Sequence, residues 1–133
     1  MGEPVTAYIG GKTREFQLLK VTDFVRLYSR LRLIEGVPSS AVITDHDLLK
    51  WAQTALGSSE IIAVSLKRGG VEVDPQDVLK WGSMMQRHSI ASETVARSMN
   101  EGEEIDPAYM AQKALTQGDP GPKVESGDQA AMP

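Results

Sequence analysis

The chain has 133 residues, a formal net charge of −4 and no cysteine. A chain of this length is expected to form one domain that buries its core without metals or disulfide bonds. The absence of thiols excludes disulfides and cysteine-ligated metal sites, and it fits a cytoplasmic location, which we predict. There is no basic segment followed by an apolar run near the start. No stretch approaches about 18 apolar residues, so we expect neither a secretory signal nor a membrane-spanning helix.

The charges are unevenly distributed along the chain. Residues 12–34 contain six basic and two acidic residues, whereas residues 100–133 contain two basic and seven acidic ones. Two interpretations remain open: solubility with a weak attraction between the two regions, or a basic helix face that meets an acidic partner. The acidic total makes a general nucleic-acid binder less expected.

The first predicted element is a β-hairpin. Gly10 and Gly11 separate two short runs, Val5–Ile9 and residues 15–19, and a Gly-Gly pair tolerates the positive φ angles of a short turn. A hairpin has an unpaired edge unless another element covers it, so this edge is a candidate for strand pairing with a partner or a second copy.

An amphipathic helix is predicted next, with Thr22 or Asp23 as its N-cap and Gly36 as a left-handed C-cap. Its apolar residues recur at three- and four-residue steps and form one stripe: Phe24, Leu27, Tyr28, Leu31 and Ile34. Three arginines, Arg26, Arg30 and Arg32, lie largely off this stripe.

Two helices are predicted in the middle of the chain. The first begins at Thr44 and ends at Gly57, where glycine is a common stop signal. The second begins at Ser58 and ends with the basic pair before Gly69. It is apolar nearly all round, so a strand is the competing assignment for residues 61–66.

Three further helix starts are predicted after residue 70. Asp74-Pro75 begins a helix that contains Leu79, Trp81 and Met85, because Asp caps and Pro favours the first helical position. Ser89 or Ser92 restarts a helix. Asp106-Pro107 begins the last one.

These signals predict an α+β, mainly helical fold: an N-terminal β-hairpin, four to six short helices and a disordered C-terminal tail. Residues 1–116 form one small globular domain. Residues 117–133 are rich in Pro and Gly and hold too little apolar surface to offset the entropy of ordering. The predicted core contains eight side chains: Phe24, Leu27, Leu31, Leu48, Ile62, Leu66, Val78 and Leu79.

No catalytic or metal-binding constellation emerges from the residues. His46 lies between two aspartates at a predicted helix start, and no third ligand is recognisable. Residues 10–13 resemble the end of a phosphate-binding loop, but Thr6 stands where its first glycine is required. We therefore predict that the protein is not an enzyme and holds no cofactor or metal.

The two tryptophans, Trp51 and Trp81, each follow a lysine in an apolar helical pattern. Core packing is the default interpretation for both. The alternative is an exposed anchor, because tryptophan is enriched at binding hot spots.

The order of elements resembles the small tail assembly chaperones of long-tailed bacteriophages and phage-like particles. The resemblance rests on the Gly-Gly-Lys turn at residues 9–12, the run EFQLL with the helix after it, and the segment IIAVSLKRGG followed by DPQDVL. It covers residues 5–99, and each motif is generic.

The resemblance implies a non-enzymatic protein that binds the helical tape-measure protein and helps to recruit tail-tube subunits. The residues predicted to meet such a partner are Arg26, Tyr28, Arg30, Arg32, Trp51 and Trp81. The alternative function is a small helical regulator that binds nucleic acid through the three arginines. Self-association stays open, and membrane binding is not expected.

Overall fold

The computed structural model describes residues 3–101. A two-stranded antiparallel sheet precedes five helices, which confirms the predicted mainly helical α+β fold. The elements are β1 (Val5–Ile9), β2 (Lys12–Phe16), α1 (Val21–Glu35), α2 (Asp45–Trp51), α3 (Ala55–Arg68), α4 (Pro75–Val78) and α5 (Met84–Glu101). The predicted helix at Asp106 and the predicted disordered tail, residues 117–133, lie outside the described residues.

The hairpin turns where the glycine pair predicts it, but its second strand is Lys12–Phe16 and not residues 15–19, because a two-residue turn makes Lys12 the first paired residue. Ile9 pairs with Lys12 across Gly10 and Gly11, whose φ angles are 65° and 87°. Two consecutive positive φ angles belong to the turn type that matches the twist of two strands. A Cβ at Gly10 would lie 2.7 Å from the ring of Trp81, so the tip of the hairpin needs glycine for close packing as well.

Helix α1 begins slightly earlier than predicted. Lys20, not Thr22 or Asp23, is the N-cap residue, and Asp23 Oδ2 accepts a hydrogen bond from the Lys20 N–H at 2.9 Å. The side chain of Asp23, at the third helical position, thus satisfies the backbone N–H of the N-cap residue. The predicted end at Gly36 is confirmed, with φ at 69° and its N–H donating to the Arg32 carbonyl.

The predicted boundary between the second and third helices is wrong. Helix α2 ends at Trp51, and α3 begins at Ala55 with Thr54 as its cap. Gly57 does not end a helix; its N–H donates to Thr54 Oγ1 at 2.9 Å within the first turn of α3. Close packing requires glycine at this position, since a Cβ at residue 57 would overlap the Trp51 carbonyl oxygen. Helix α3 also settles the helix-or-strand alternative for residues 61–66.

The predicted helix start at Asp74 is confirmed, but its length and the later restart are wrong. Asp74 accepts from the Gln76 N–H at 2.9 Å, and α4 ends at Val78. Trp81 therefore lies between helices, in the connection where Gly82 has a φ of 56°. Helix α5 begins at Met84, so Ser89 and Ser92 lie inside it and start nothing.

Helix α3 lies at the centre of the fold and contacts α1, α2, α4, α5 and β2. Seven of the eight predicted core side chains are at most 5% exposed: Phe24, Leu27, Leu31, Leu48, Ile62, Leu66 and Val78. The eighth, Leu79, is half-buried and stands outside the core cluster. Leu79 follows the last residue of α4. This helix is only one turn long, so its apolar stripe ends before Leu79.

Candidate functional site

Two charged contacts hold α1 against α3. Arg30 donates through Nε and Nη2 to the two carboxylate oxygens of Glu60, at 3.1 and 2.9 Å. Arg68 makes the same two-pronged contact with Asp23, at 3.0 Å for each bond. Residue number rises along α1 as it falls along α3, so the helices are antiparallel. The hydrogen bonds to Glu60, followed by its charge, raise the pKa of Arg30.

An open groove of about 580 Å³ lies beside these contacts. One wall is α1, the floor is α3, and the opposite wall is the segment that leads into α4. The lining residues are Arg26, Arg30, Glu60, Ala63, Val64, Lys67, Glu72, Val73, Asp74 and Pro75. Those from α3 follow the helical spacing of a single stripe. The groove therefore has a helical floor with Ala63 and Val64 at its centre.

The charges of the groove are separated across its width. Arg26 on the α1 wall is exposed and makes no hydrogen bond or ion pair with any other residue in the described part of the chain. On the opposite wall are Glu72 and Asp74. Lys67 lies 3.8 Å from Glu72, and both side chains are largely exposed, so this pair is weak. On the α1 wall Arg26 is the cation without a partner among the described residues, and Lys67 supplies a second, weakly paired cation beside Glu72.

Tyr28 and Arg32 make contacts within the chain. The Tyr28 hydroxyl donates to Asp45 Oδ1 at 2.8 Å and joins α1 to α2. Burial, then the hydrogen bond to Asp45, raises the pKa of Tyr28 well above its usual range. Arg32 Nη1 donates to the Pro38 carbonyl at 2.7 Å, which fastens the loop after α1.

The two tryptophans have different surroundings. Trp51 is 4% exposed and its Nε1 donates to Glu35 Oε2 at 3.0 Å, so core packing is the interpretation that holds for it. Trp81 is half-buried, and the Arg14 guanidinium stacks 3.9 Å from the centre of its ring. Arg14 also donates to the Ile9 carbonyl at 2.9 Å. Trp81 thus joins the hairpin to the connection before α5.

The structure brings only two of the six predicted partner-binding residues to the groove, namely Arg26 and Arg30. The other four lie elsewhere: Tyr28 and Trp51 join α1 to α2, Arg32 binds the loop after α1, and Trp81 contacts the hairpin. Sequence reasoning missed the acidic wall and the floor. A signal for the floor was present, because Glu60, Ala63, Val64 and Lys67 recur at the spacing of one helix face.

The two outer edges of the hairpin differ. A two-residue turn makes Ile9 and Lys12 a hydrogen-bonded pair, so the backbone groups of Tyr8 and Thr13 point outward. Gln86 Nε2 donates to the Tyr8 carbonyl at 2.8 Å and covers part of the β1 edge. At the β2 edge, no hydrogen bond to Thr13 from outside the hairpin occurs among residues 3–101.

Within residues 3–101, no group of three or more His, Asp or Glu side chains is placed to hold a metal ion. None of the described helices is both long and apolar enough to cross a membrane.

The chain was compared with protein-family models, with curated proteins and with solved structures, and none of the three comparisons found a match.

Proposed function

We propose that this protein is a non-enzymatic tail assembly chaperone that acts in the host cytoplasm. It binds the helical tape-measure protein and helps to recruit tail-tube subunits. Two lines support the proposal: the resemblance in the order and motifs of residues 5–99, and a groove of the right kind for a helix. The groove is the observation that carries the binding part of the proposal.

The groove suits an amphipathic helix for a physical reason. Such a helix binds by placing its apolar stripe on an apolar surface while its charged flanks meet the rim. Here Ala63 and Val64 supply the floor, and Arg26 supplies a rim charge that no described residue neutralises. Arginine is a strong interface anchor once a carboxylate pairs with it and water is excluded.

The alternative of a nucleic-acid-binding regulator has less support. Nucleic-acid binding needs several unpaired basic side chains on one face, because affinity for nucleic acid comes mainly from phosphate contacts. Of the three α1 arginines, Arg30 pairs with Glu60 and Arg32 binds the Pro38 carbonyl. The acidic residues Glu72 and Asp74 also face the groove and would repel phosphate.

The test is co-expression with each of two candidate partners, the tape-measure protein and the tail-tube protein of the same phage. We expect the tagged chain to capture the tape-measure protein and keep it in solution. A parallel mobility assay uses double-stranded DNA over a range of salt concentrations. A salt-sensitive shift with DNA, together with no capture of either protein, would replace the proposal with the alternative.

A further inference from the structure

The groove has no net formal charge but a clear separation of charge across its width. Arg26, Arg30 and Lys67 are balanced by Glu60, Glu72 and Asp74. Glu60 is neutralised on the α1 side by Arg30, to which it is bonded at 2.9 Å. Lys67 lies 3.8 Å from Glu72 and offsets part of the acidic wall, which leaves Arg26 on one wall and a net charge of −1 on the other.

We propose that the groove takes an amphipathic helix with one acidic and one basic flank, and that these charges fix the direction in which the helix lies. This inference rests on the proposed function and names the chemistry of its partner. A partner carboxylate pairs with Arg26, and a partner Lys or Arg lies along Glu72 and Asp74. A helix with both flanks of one sign meets a like charge on one wall.

The floor determines how much of a helix fits. Residues 60 to 67 of α3 span about 10 Å at the usual rise per residue, which matches about two turns of a bound helix. Ala63 has the smallest side chain of the stripe, and it lies next to Val64 with Val73 and Pro75 beyond. Ala63 is itself largely buried, so one aliphatic side chain of the partner packs over Val64, between the two charged walls.

The direction follows from symmetry. Turning a docked helix end for end keeps its apolar stripe on the floor but exchanges its two flanks between the walls. A helix with flanks of opposite sign is therefore complementary in one direction only. If its flank charges are exchanged, the same helix becomes complementary in the reverse direction and binds about as tightly. Electrostatic complementarity of this kind fixes register and orientation more than affinity.

The experiment uses the full chain and four synthetic helical peptides of about four turns each. All share one Leu and Ala stripe. Two have flanks of opposite sign, arranged as mirror patterns; one has two Glu flanks and one has two Lys flanks. We expect both mixed peptides to bind about two- to fivefold more tightly than either single-sign peptide, the size of a partly exposed ion pair.

Direction is measured with a spin label. The chain has no cysteine, so Val71→Cys gives one attachment point just beyond the Lys67 end of the groove. Val71 is 43% exposed and does not line the groove. The label should broaden the NMR signals from one end of the first mixed peptide and from the opposite end of the second. Arg26→Glu should weaken both mixed peptides, whereas Lys50→Glu on α2 should not.

Several outcomes would overturn the inference. They are the same end broadened in both mixed peptides, single-sign peptides that bind equally well, no binding of any peptide, or a homodimer that Arg26→Glu dissociates. Capture of the tape-measure protein together with any of these leaves the proposed function standing. If the two mixed peptides bind in opposite directions but the tape-measure protein is not captured, the proposed function is wrong and the inference about the groove stands.

Discussion

The arginines of α1 differ in what each of them contacts, although they look alike in the sequence. Arg30 pairs with Glu60, whose side chain is only 11% exposed, whereas Arg26 has no partner among the described residues. Replacing Arg30 leaves a mostly buried carboxylate without its hydrogen bonds, which costs more than the pair itself contributes. A substitution of Arg30 would therefore change stability as well as any binding, and the two effects could not be separated. Arg26 is the residue to change.

We predict that these two arginines contribute unequally to stability. Arg30→Ala should lower the free energy of unfolding by about 1–2 kcal/mol, because Glu60 loses both hydrogen bonds in a partly shielded site. Arg26→Ala should change it by less than about 0.5 kcal/mol, as is usual for an exposed side chain without contacts. Urea unfolding of both variants measures the difference. Equal losses would contradict the pairing described for Arg30.

Tyr28 gives a prediction for alkaline pH. Burial holds the pKa of its hydroxyl above the ordinary value near 10, so above that pH the unfolded chain loses a proton that the folded chain keeps. The stabilisation that the Tyr28 hydroxyl contributes is therefore fully present below about pH 10 and is lost as the pH rises further. Tyr28→Phe should be less stable at neutral pH, where it lacks the bond to Asp45, and lose stability less steeply in alkali.

The control for Tyr28 is Tyr8→Phe, because the Tyr8 side chain is 66% exposed. Urea unfolding in steps from pH 8 to about pH 11 gives the slope for each variant. Wild type and Tyr8→Phe should share one slope. A Tyr28→Phe slope equal to theirs would show that the buried phenol does not couple to folding.

Some helix boundaries can be read from the sequence and others cannot. The starts of α2 and α4 and the ends of α1 and α3 are predicted, whereas the starts of α1, α3 and α5 are not. Asp74-Pro75 and Gly10-Gly11 act through the local backbone, so the pattern alone predicts α4 and the hairpin turn. Gly57 looks like the same kind of local signal, but it is required by contact with the Trp51 carbonyl. A tertiary contact of this kind has no signature in a pattern of neighbouring residues, so the boundary between α2 and α3 is misplaced.

Gly57→Ala tests that tertiary reason. In an exposed helix the change would stabilise by up to about 1 kcal/mol through helix propensity. Here we expect a loss of about 2 kcal/mol or more, because the new Cβ meets backbone that must shift. The control is Leu56→Ala in the same turn, which is 42% exposed and should cost less. A stabilised Gly57→Ala would show that α3 begins without close contact to Trp51.

Leu27 tests the face that α1 buries. Its side chain is fully buried, so Leu27→Ala should lower the free energy of unfolding by about 2–5 kcal/mol. Leu33 on the same helix is 72% exposed, and Leu33→Ala should cost far less. Thermal and urea unfolding compare the two. A small loss of stability for Leu27→Ala would show that α1 buries a different face from the one described.

In the whole molecule, the groove that we propose for binding arises only when distant segments meet. Residues 26 and 30, 60 to 67 and 72 to 75 line one groove, and no single stretch contains its two walls. The sequence places Arg26 and Arg30 on one helix face, and both line the groove. Their role in binding stays a prediction. It does not predict that Glu60 neutralises Arg30, since that contact joins residues 30 positions apart.

Whether the groove holds a helical partner is tested by capture of the tape-measure protein with three full-length chains: wild type, Arg26→Glu and Lys50→Glu. Circular dichroism first confirms that all three are folded. We expect equal capture by wild type and Lys50→Glu. Capture by Arg26→Glu should be weaker by about tenfold, because the charge reversal puts a carboxylate opposite the acidic flank of the partner. Equal capture by all three chains, or by none, would contradict the claim that this groove holds a helical partner.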